Sequence, residues 1–327
     1  MTAPAAIEVR DLHVVYDGLA AVRGLSFTVP AGGRMGLVGE SGSGKSMTAL
    51  ALMGLLPPGW KAQGTILHDG VDLITQTDKA LSARRGRTVS MVFQDPMSSL
   101  NPVRRVGDQI ADVIRRHGGV GRHEAMGQTI DLMMQMNLPR PEQLARSYPH
   151  QISGGQKQRI MIAMALACYP QLIIADEPTT ALDVTVQKQV LRLLSAATRE
   201  RNSALLMITH DLPVIAAMCD TVAVMYAGRI VEYGPVRQVF RNPRHHYTRG
   251  LLDSQPTMDN IALDGSSRLT SIPGMVPPLP ALPSGCAFHP RCPVATDICR
   301  ARMPEIDAAT GAACWHPVAA SQPAVAS

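Results

Sequence analysis

The segment Gly39-Glu40-Ser41-Gly42-Ser43-Gly44-Lys45-Ser46 fits the pattern G-x-x-x-x-G-K-[ST]. It follows the apolar run GRMGLV and precedes MTALALMGLL, whose spacing is helical. That order of strand, loop and helix restricts the chain to an α/β fold with a nucleotide-phosphate cradle at one strand end. The glycines permit a tight loop whose backbone N–H groups point at phosphate oxygens, and the helix N-terminus adds partial positive charge. Lys45 is placed to neutralise the β and γ oxygens, and Ser46 to offer a hydroxyl to Mg2+.

Further apolar stretches at 88–93, 172–175 and 204–209 read as buried strands of the same sheet as 34–38. The spacing predicts helices over 45–56, 104–117, 123–136, 155–168, 184–200 and 212–218. IEVRDLHVVY alternates instead, as a strand of an antiparallel sheet does. LIIAD ends in Asp176-Glu177, and acids at the carboxyl end of a parallel strand face the ligand crevice. Alone, two acids there read equally well as a solvated strand-to-loop turn. Beside a phosphate loop, Asp176 becomes a Mg2+ partner and Glu177 a general base for an attacking water.

Lys plus Arg exceed Asp plus Glu by 31 − 26 = +5, with no run of five like charges, so nucleic acid is not demanded as a partner. The longest apolar run, 160–168, is half the length of a membrane span. MTAPAAIEVRDLHVVY has no basic segment followed by an apolar one, so no signal peptide is expected, and the expected compartment is the cytosol with reduced thiols. Past Tyr233 the texture changes. SIPGMVPPLPALPSG is too rich in proline for helix interior or central strand and suits a linker or wrapping loop. A small second region is expected from about Phe240 to Val318, ending in a frayed AASQPAVAS.

Ile152-Ser153-Gly154-Gly155-Gln156 runs into KQRIMIAMALA, where Ser153 and the Gly154 and Gly155 amides begin a helix and make a second anion-binding terminus. With Gln94 after TVSMVF, Asp183 in TTALD and His210 after LLMIT, this set resembles the nucleotide-binding subunits of ATP-binding-cassette (ABC) transporters over residues 7–240. Ile152 stands where Leu is commoner. The resemblance implies an ABC-type P-loop ATPase core with an antiparallel β subdomain, a helical subdomain at about 95–165, and a small irregular cysteine-containing region at 241–327. It implies that Tyr16 stacks on adenine, that Gln94 senses Mg2+ or the attacking water, and that His210 contacts the γ-phosphate. Ser153, Gly154, Gly155 and Gln156 would complete the Lys45-type site of an opposing subunit, making a dimer around two ATP molecules, and Asp183 is among the residues implied to bind the nucleotide.

VSMVFQDPMSSLNPV, SYPHQISGGQKQRIMIAMALACYPQLIIADEPTTALDVTVQ and RNPRHHYTRGLL are similar to the ATPases of bacterial oligopeptide, dipeptide and nickel importers, with His246 in place of a common proline. The implied partners are a second, related ATPase chain, two membrane permeases and, through them, an extracytoplasmic solute-binding protein. The implied location is the cytoplasmic face of the inner membrane. Cys286, Cys292, Cys299 and Cys314 lie in fragments similar to the C-terminal motif of peptide-importer ATPases, in some of which cysteines hold a [4Fe–4S] cluster. Zinc, with His289 or His316, and unliganded or disulfide-paired thiols are the alternatives. Cys168 and Cys219 read as core fillers. A soluble ABC ATPase of DNA repair or translation would show a coiled-coil insertion or a second cassette, which the sequence lacks. A vestigial nucleotide switch is at odds with Glu177 and His210.

Overall fold

The computed structural model describes residues 5–95, 99–180, 182–255 and 271–319. Among them, strands β1 (Ala5–Tyr16), β2 (Leu19–Pro30), β3 (Arg34–Val38), β4 (Lys61–His68), β5 (Val71–Asp72), β6 (Val89–Val92), β7 (Leu172–Asp176), β8 (Ala204–Thr209), β9 (Thr221–Tyr226) and β10 (Arg229–Pro235) form two sheets. Helices are α1 (Lys45–Met53), α2 (Asp78–Arg84), α3 (Val106–Gly118), α4 (Arg122–Gln135), α5 (Pro141–Leu144), α6 (Gly154–Leu166), α7 (Val184–Glu200), α8 (Leu212–Met218), α9 (Val236–Arg241), α10 (His246–Asp253) and α11 (Asp297–Ala301).

The larger sheet has the order β10-β9-β3-β8-β7-β6, parallel throughout except for β10, which runs antiparallel to β9. Every residue of β3, β7 and β8 is buried, as expected of strands covered on both faces. Alternation along each strand divides the core. Leu172, Ile174, Leu206 and Ile208 face a cluster shared with the antiparallel sheet, while Ile173, Ala175, Leu205 and Met207 face the helices. The smaller sheet, β2-β1-β4-β5, is antiparallel, as IEVRDLHVVY suggests.

Helix α1 ends at Met53, short of the expected 56, because Gly54 takes a left-handed conformation and its N–H returns to the carbonyls of Ala51 and Leu50. In α3, Val106, Ile110 and Ile114 recur every four residues and are buried in the cluster that also holds Leu132 and Met133 of α4 and Ile160 of α6. This helical layer lies between β6 and β7 in the chain, so it hangs from the strands that flank the site.

The proline-rich segment is irregular apart from a 3-10 turn at Leu279–Ala281, in keeping with a wrapping loop. Residues 311–313 close the exposed edge of β10: Tyr233 N–H donates to Gly311 O at 2.8 Å, and Ala313 N–H to Val231 O at 2.8 Å. Tyr226, Tyr247 and Phe288 then pack ring to ring, at 4.7, 5.3 and 5.4 Å between centroids, and seat the C-terminal region on β9. The expected frayed tail lies outside the described residues from 320 onward.

Candidate functional site

The phosphate loop joins β3 to α1 where two other backbones press against it. A side chain at Gly39 would strike the Met225 carbonyl, and one at Gly44 the Ala21 carbonyl. Gly44 is also the left-handed N-cap of α1, at φ 102°. The buried Lys45 ammonium donates to the carbonyls of Gly39 at 2.7 Å and Glu40 at 2.9 Å. Burial lowers its pKa, against the opposing charges of Glu177, Asp176 and Glu40. Lys45 lines one cleft with Ser41, Gly42, Gly44, Ser46, Trp60, Gln94, Glu177 and Leu279. Gly39 and the buried Ser43 belong to the same loop, and Ser43 Oγ accepts from Lys45 at 3.4 Å.

Asp176 closes β7 opposite that loop. Its Oδ1 is buried without a hydrogen-bond partner, while the carboxylate is hydrogen-bonded to the Ser46 side chain. Burial raises its pKa, and the Ser46 contact works in the other direction. An orphaned carboxylate oxygen next to a hydroxyl is a hard oxygen donor set, which fits Mg2+. Gln94, the third expected Mg2+ residue, is turned to Glu177, donating from Nε2 to Oε2 at 3.0 Å.

Glu177 has a left-handed backbone, φ 45°, pinned by its N–H to the Ile208 carbonyl at 2.8 Å. That conformation aims its carboxylate between three side chains. Besides Gln94, Thr180 Oγ1 donates to Oε2 at 2.9 Å, and His210 Nδ1 lies 3.1 Å from Oε1. Burial raises the Glu177 pKa, but the His210 and Thr180 hydrogen bonds and the charges of His210 and Lys45 prevail and lower it. A carboxylate kept ionised beside a phosphate cradle can orient and deprotonate a water.

Tyr16 closes β1, 44% exposed, with its ring stacked on Trp60 at 5.4 Å. Trp60 and Leu279 also line the cleft, though neither carries a spacing signal in the sequence, because they reach it only through tertiary packing. Ser153, Gly154, Gly155 and Gln156 do not line the Lys45 cleft of their own chain. They form the N-terminus of α6, closed by a capping box in which Gln156 N–H donates to Ser153 Oγ at 3.3 Å and Ser153 N–H to Gln156 Oε1 at 2.9 Å. Asp183 caps α7 through Oδ1, accepting from Thr185 and Val186 N–H at 3.0 and 2.9 Å.

Cys286, Cys292, Cys299 and Cys314 line one enclosed pocket with His245, His289 and His316. None of the six cysteines is in a disulfide. Among the described residues, however, no group of three or more His, Cys, Asp or Glu is disposed to hold a metal ion. His289 Nδ1 is engaged by the Cys286 carbonyl at 3.0 Å and His316 Nε2 by Thr296 Oγ1 at 2.7 Å. Burial pushes the Cys286 and Cys292 thiols up, and Cys314 to about 11. The expected [4Fe–4S] cluster and the zinc alternative are therefore not supported by this arrangement. Cys168 and Cys219 pack against the main core, as expected of fillers.

A parallel sheet with a phosphate loop after one strand and an Asp-Glu pair ending the next but one defines a Mg2+-dependent nucleoside-triphosphatase. Residues 22–180 match the family model described as ABC transporter, and residues 231–299 the one described as oligopeptide/dipeptide transporter, C-terminal region. The oligopeptide transport ATP-binding protein OppD of Salmonella typhimurium is 48% identical, over 95% of this chain and 94% of that protein. Its Escherichia coli namesake is 47% identical, over 97% and 94%. A solved dimeric ATP-binding cassette in a post-hydrolysis state has the same fold, with TM-score 0.64 and 24% identity over 71% of this chain and 99% of that one. The chain belongs to the ABC transporter ATPases, in the group that carries the oligopeptide/dipeptide transporter C-terminal region. It is an ATPase, and ATP and Mg2+ are the ligands expected of it.

Proposed function

We propose that the chain is the ATP-hydrolysing subunit of a bacterial importer of di- or oligopeptides or a related small solute such as a nickel chelate. The carrying observation is Glu177, held as a carboxylate between Gln94 and His210 at the mouth of the phosphate loop. Glu177 is the general base, His210 orients attack at the γ-phosphate, and Gln94 links the cleft to the helical layer. Lys45 and the loop from Gly39 to Ser46 hold the phosphates, Asp176 and Ser46 the Mg2+, and Tyr16 the adenine.

Ser153, Gly154, Gly155, Gln156 and Asp183 close the site of an opposing ATPase chain, a related but different one. That none of them lines the Lys45 cleft of its own chain supports that division. Residues 1–240 form the ATPase domain, with its helical subdomain at about 95–165, and 241–327 the C-terminal region. Two permeases anchor the chain at the cytoplasmic face of the membrane and receive solute from a binding protein. No described helix is long and apolar enough to cross a membrane. The peptide assignment rests on what the relatives' names say they transport.

In vesicles carrying the assembled importer, Glu177→Gln should retain ATP binding while ATP hydrolysis and labelled-peptide uptake fall together by roughly 10²–10⁴, the contribution of a positioned base. Wild-type hydrolysis in that variant would remove Glu177 from its role.

A further inference from the structure

Glu40 occupies one of the unspecified positions of the phosphate motif, where phosphate chemistry demands no particular side chain. Its carboxylate nevertheless has a partner 251 residues along the chain. Arg291, in the 3-10 turn His289–Arg291, grips both oxygens, with Nη1 to Oε2 at 2.6 Å and Nη2 to Oε1 at 3.0 Å. The remaining N–H groups of the guanidinium are also engaged. Nε donates to Pro273 O at 2.8 Å, Nη1 to Tyr226 Oη at 3.4 Å and Nη2 to Ile272 O at 3.4 Å. The Arg291 side chain is 4% exposed and that of Glu40 30%. A planar fork with every donor spent has one orientation, so it fixes its partner's position as well as its charge.

Glu40 is held at two more points. Its N–H donates to Tyr247 Oη at 2.8 Å, and its carbonyl accepts from Lys45 Nζ at 2.9 Å. Tyr247 and Arg291 both belong to the C-terminal part of the chain, and Phe288 packs on the Tyr247 ring. One loop residue therefore has its carboxylate and its N–H held from the C-terminal part of the chain, and the same residue's carbonyl helps place the phosphate-binding lysine.

We propose that Arg291 is a positioning residue of the nucleotide site: through Glu40 the C-terminal region sets the shape of the phosphate loop. The proposal rests on the nucleotide reading of that loop. A pin serving only to attach the C-terminal region would leave nucleotide affinity alone, and the two roles separate in calorimetric titration of MgADP into the full-length chain. The stoichiometry reports the fraction of competent molecules, and Kd reports the loop.

Arg291→Lys keeps the charge but cannot span both carboxylate oxygens, and Glu40→Gln keeps the shape at a half-buried position the core does not need. Both should raise Kd roughly tenfold, the worth of one charge-assisted contact, at unchanged stoichiometry. The double variant should be no weaker than either single one, because both remove the same contact. A Glu40→Gln Kd within about twofold of wild type would overturn the proposal, whatever the stoichiometry. If Arg291→Lys proves unstable, Glu40→Gln alone decides. A wild-type chain that takes up no MgADP would instead defeat the nucleotide reading itself, a distinct outcome.

Discussion

Lys45 sits where its charge is costly to keep. Burial disfavours the ammonium, and only Glu177, Asp176 and Glu40 counter it. Its donors rest on carbonyls of its own loop, so phosphate oxygens offer it anionic acceptors in place of neutral ones. Lys45→Ala should weaken MgATP binding at least about tenfold in equilibrium titration, since hydrogen bonds to charged groups are the strong ones. Unchanged affinity would move the phosphates elsewhere. The loop, Asp176 and Glu177 were legible because backbone geometry and metal chemistry fix their spacing. Trp60, Thr180 and Arg291 were not, because each acts through contacts that only the folded chain creates.

Helix α10 begins with a titratable cap. His245 is fully buried and accepts the Tyr247 N–H at 3.0 Å, which requires a neutral ring nitrogen. Burial, helped by the neighbouring His246, lowers its pKa from 6.5 to about 3. Because the folded value lies below the unfolded one, stability is complete above pH 6.5 and is lost as pH falls toward 3. At about 1.4 kcal/mol per unit, the loss between pH 6.5 and 5 is about 2 kcal/mol. His245→Asn keeps a capping acceptor without the titration, so its melting temperature should fall less steeply over that interval. Parallel profiles for the two proteins would contradict the neutral cap. Buried strands such as β7 and β8 were readable as continuous apolar runs. Strands β2, β4, β5, β9 and β10 were not assigned individually: antiparallel pairing leaves mixed patterns in β2 and β4, and β10 owes part of its cover to residues 311–313.

At the scale of the whole molecule, the two helix N-termini proposed to meet phosphate, those of α1 and α6, do not share a cleft among the described residues. If each serves a different chain, damage to the second should abolish hydrolysis without touching binding at the first. Gly154 suits this test, because an added Cβ would meet only Leu182 at 3.9 Å, an ordinary contact, whereas one at Gly155 would collide with Val186. An aspartate in the first turn also favours the helix, so Gly154→Asp leaves the fold of its own chain intact while presenting negative charge to an incoming triphosphate. The decisive measurement is MgATP turnover by the assembled transporter carrying Gly154→Asp, alongside its MgATP affinity. A composite site predicts unchanged affinity at the variant chain's own Lys45 cleft, with turnover at the opposing chain's site reduced by roughly 10² or more, in the range lost when electrostatic stabilisation of developing charge is removed. Undiminished turnover would mean that one chain completes the site alone, and would contradict the account.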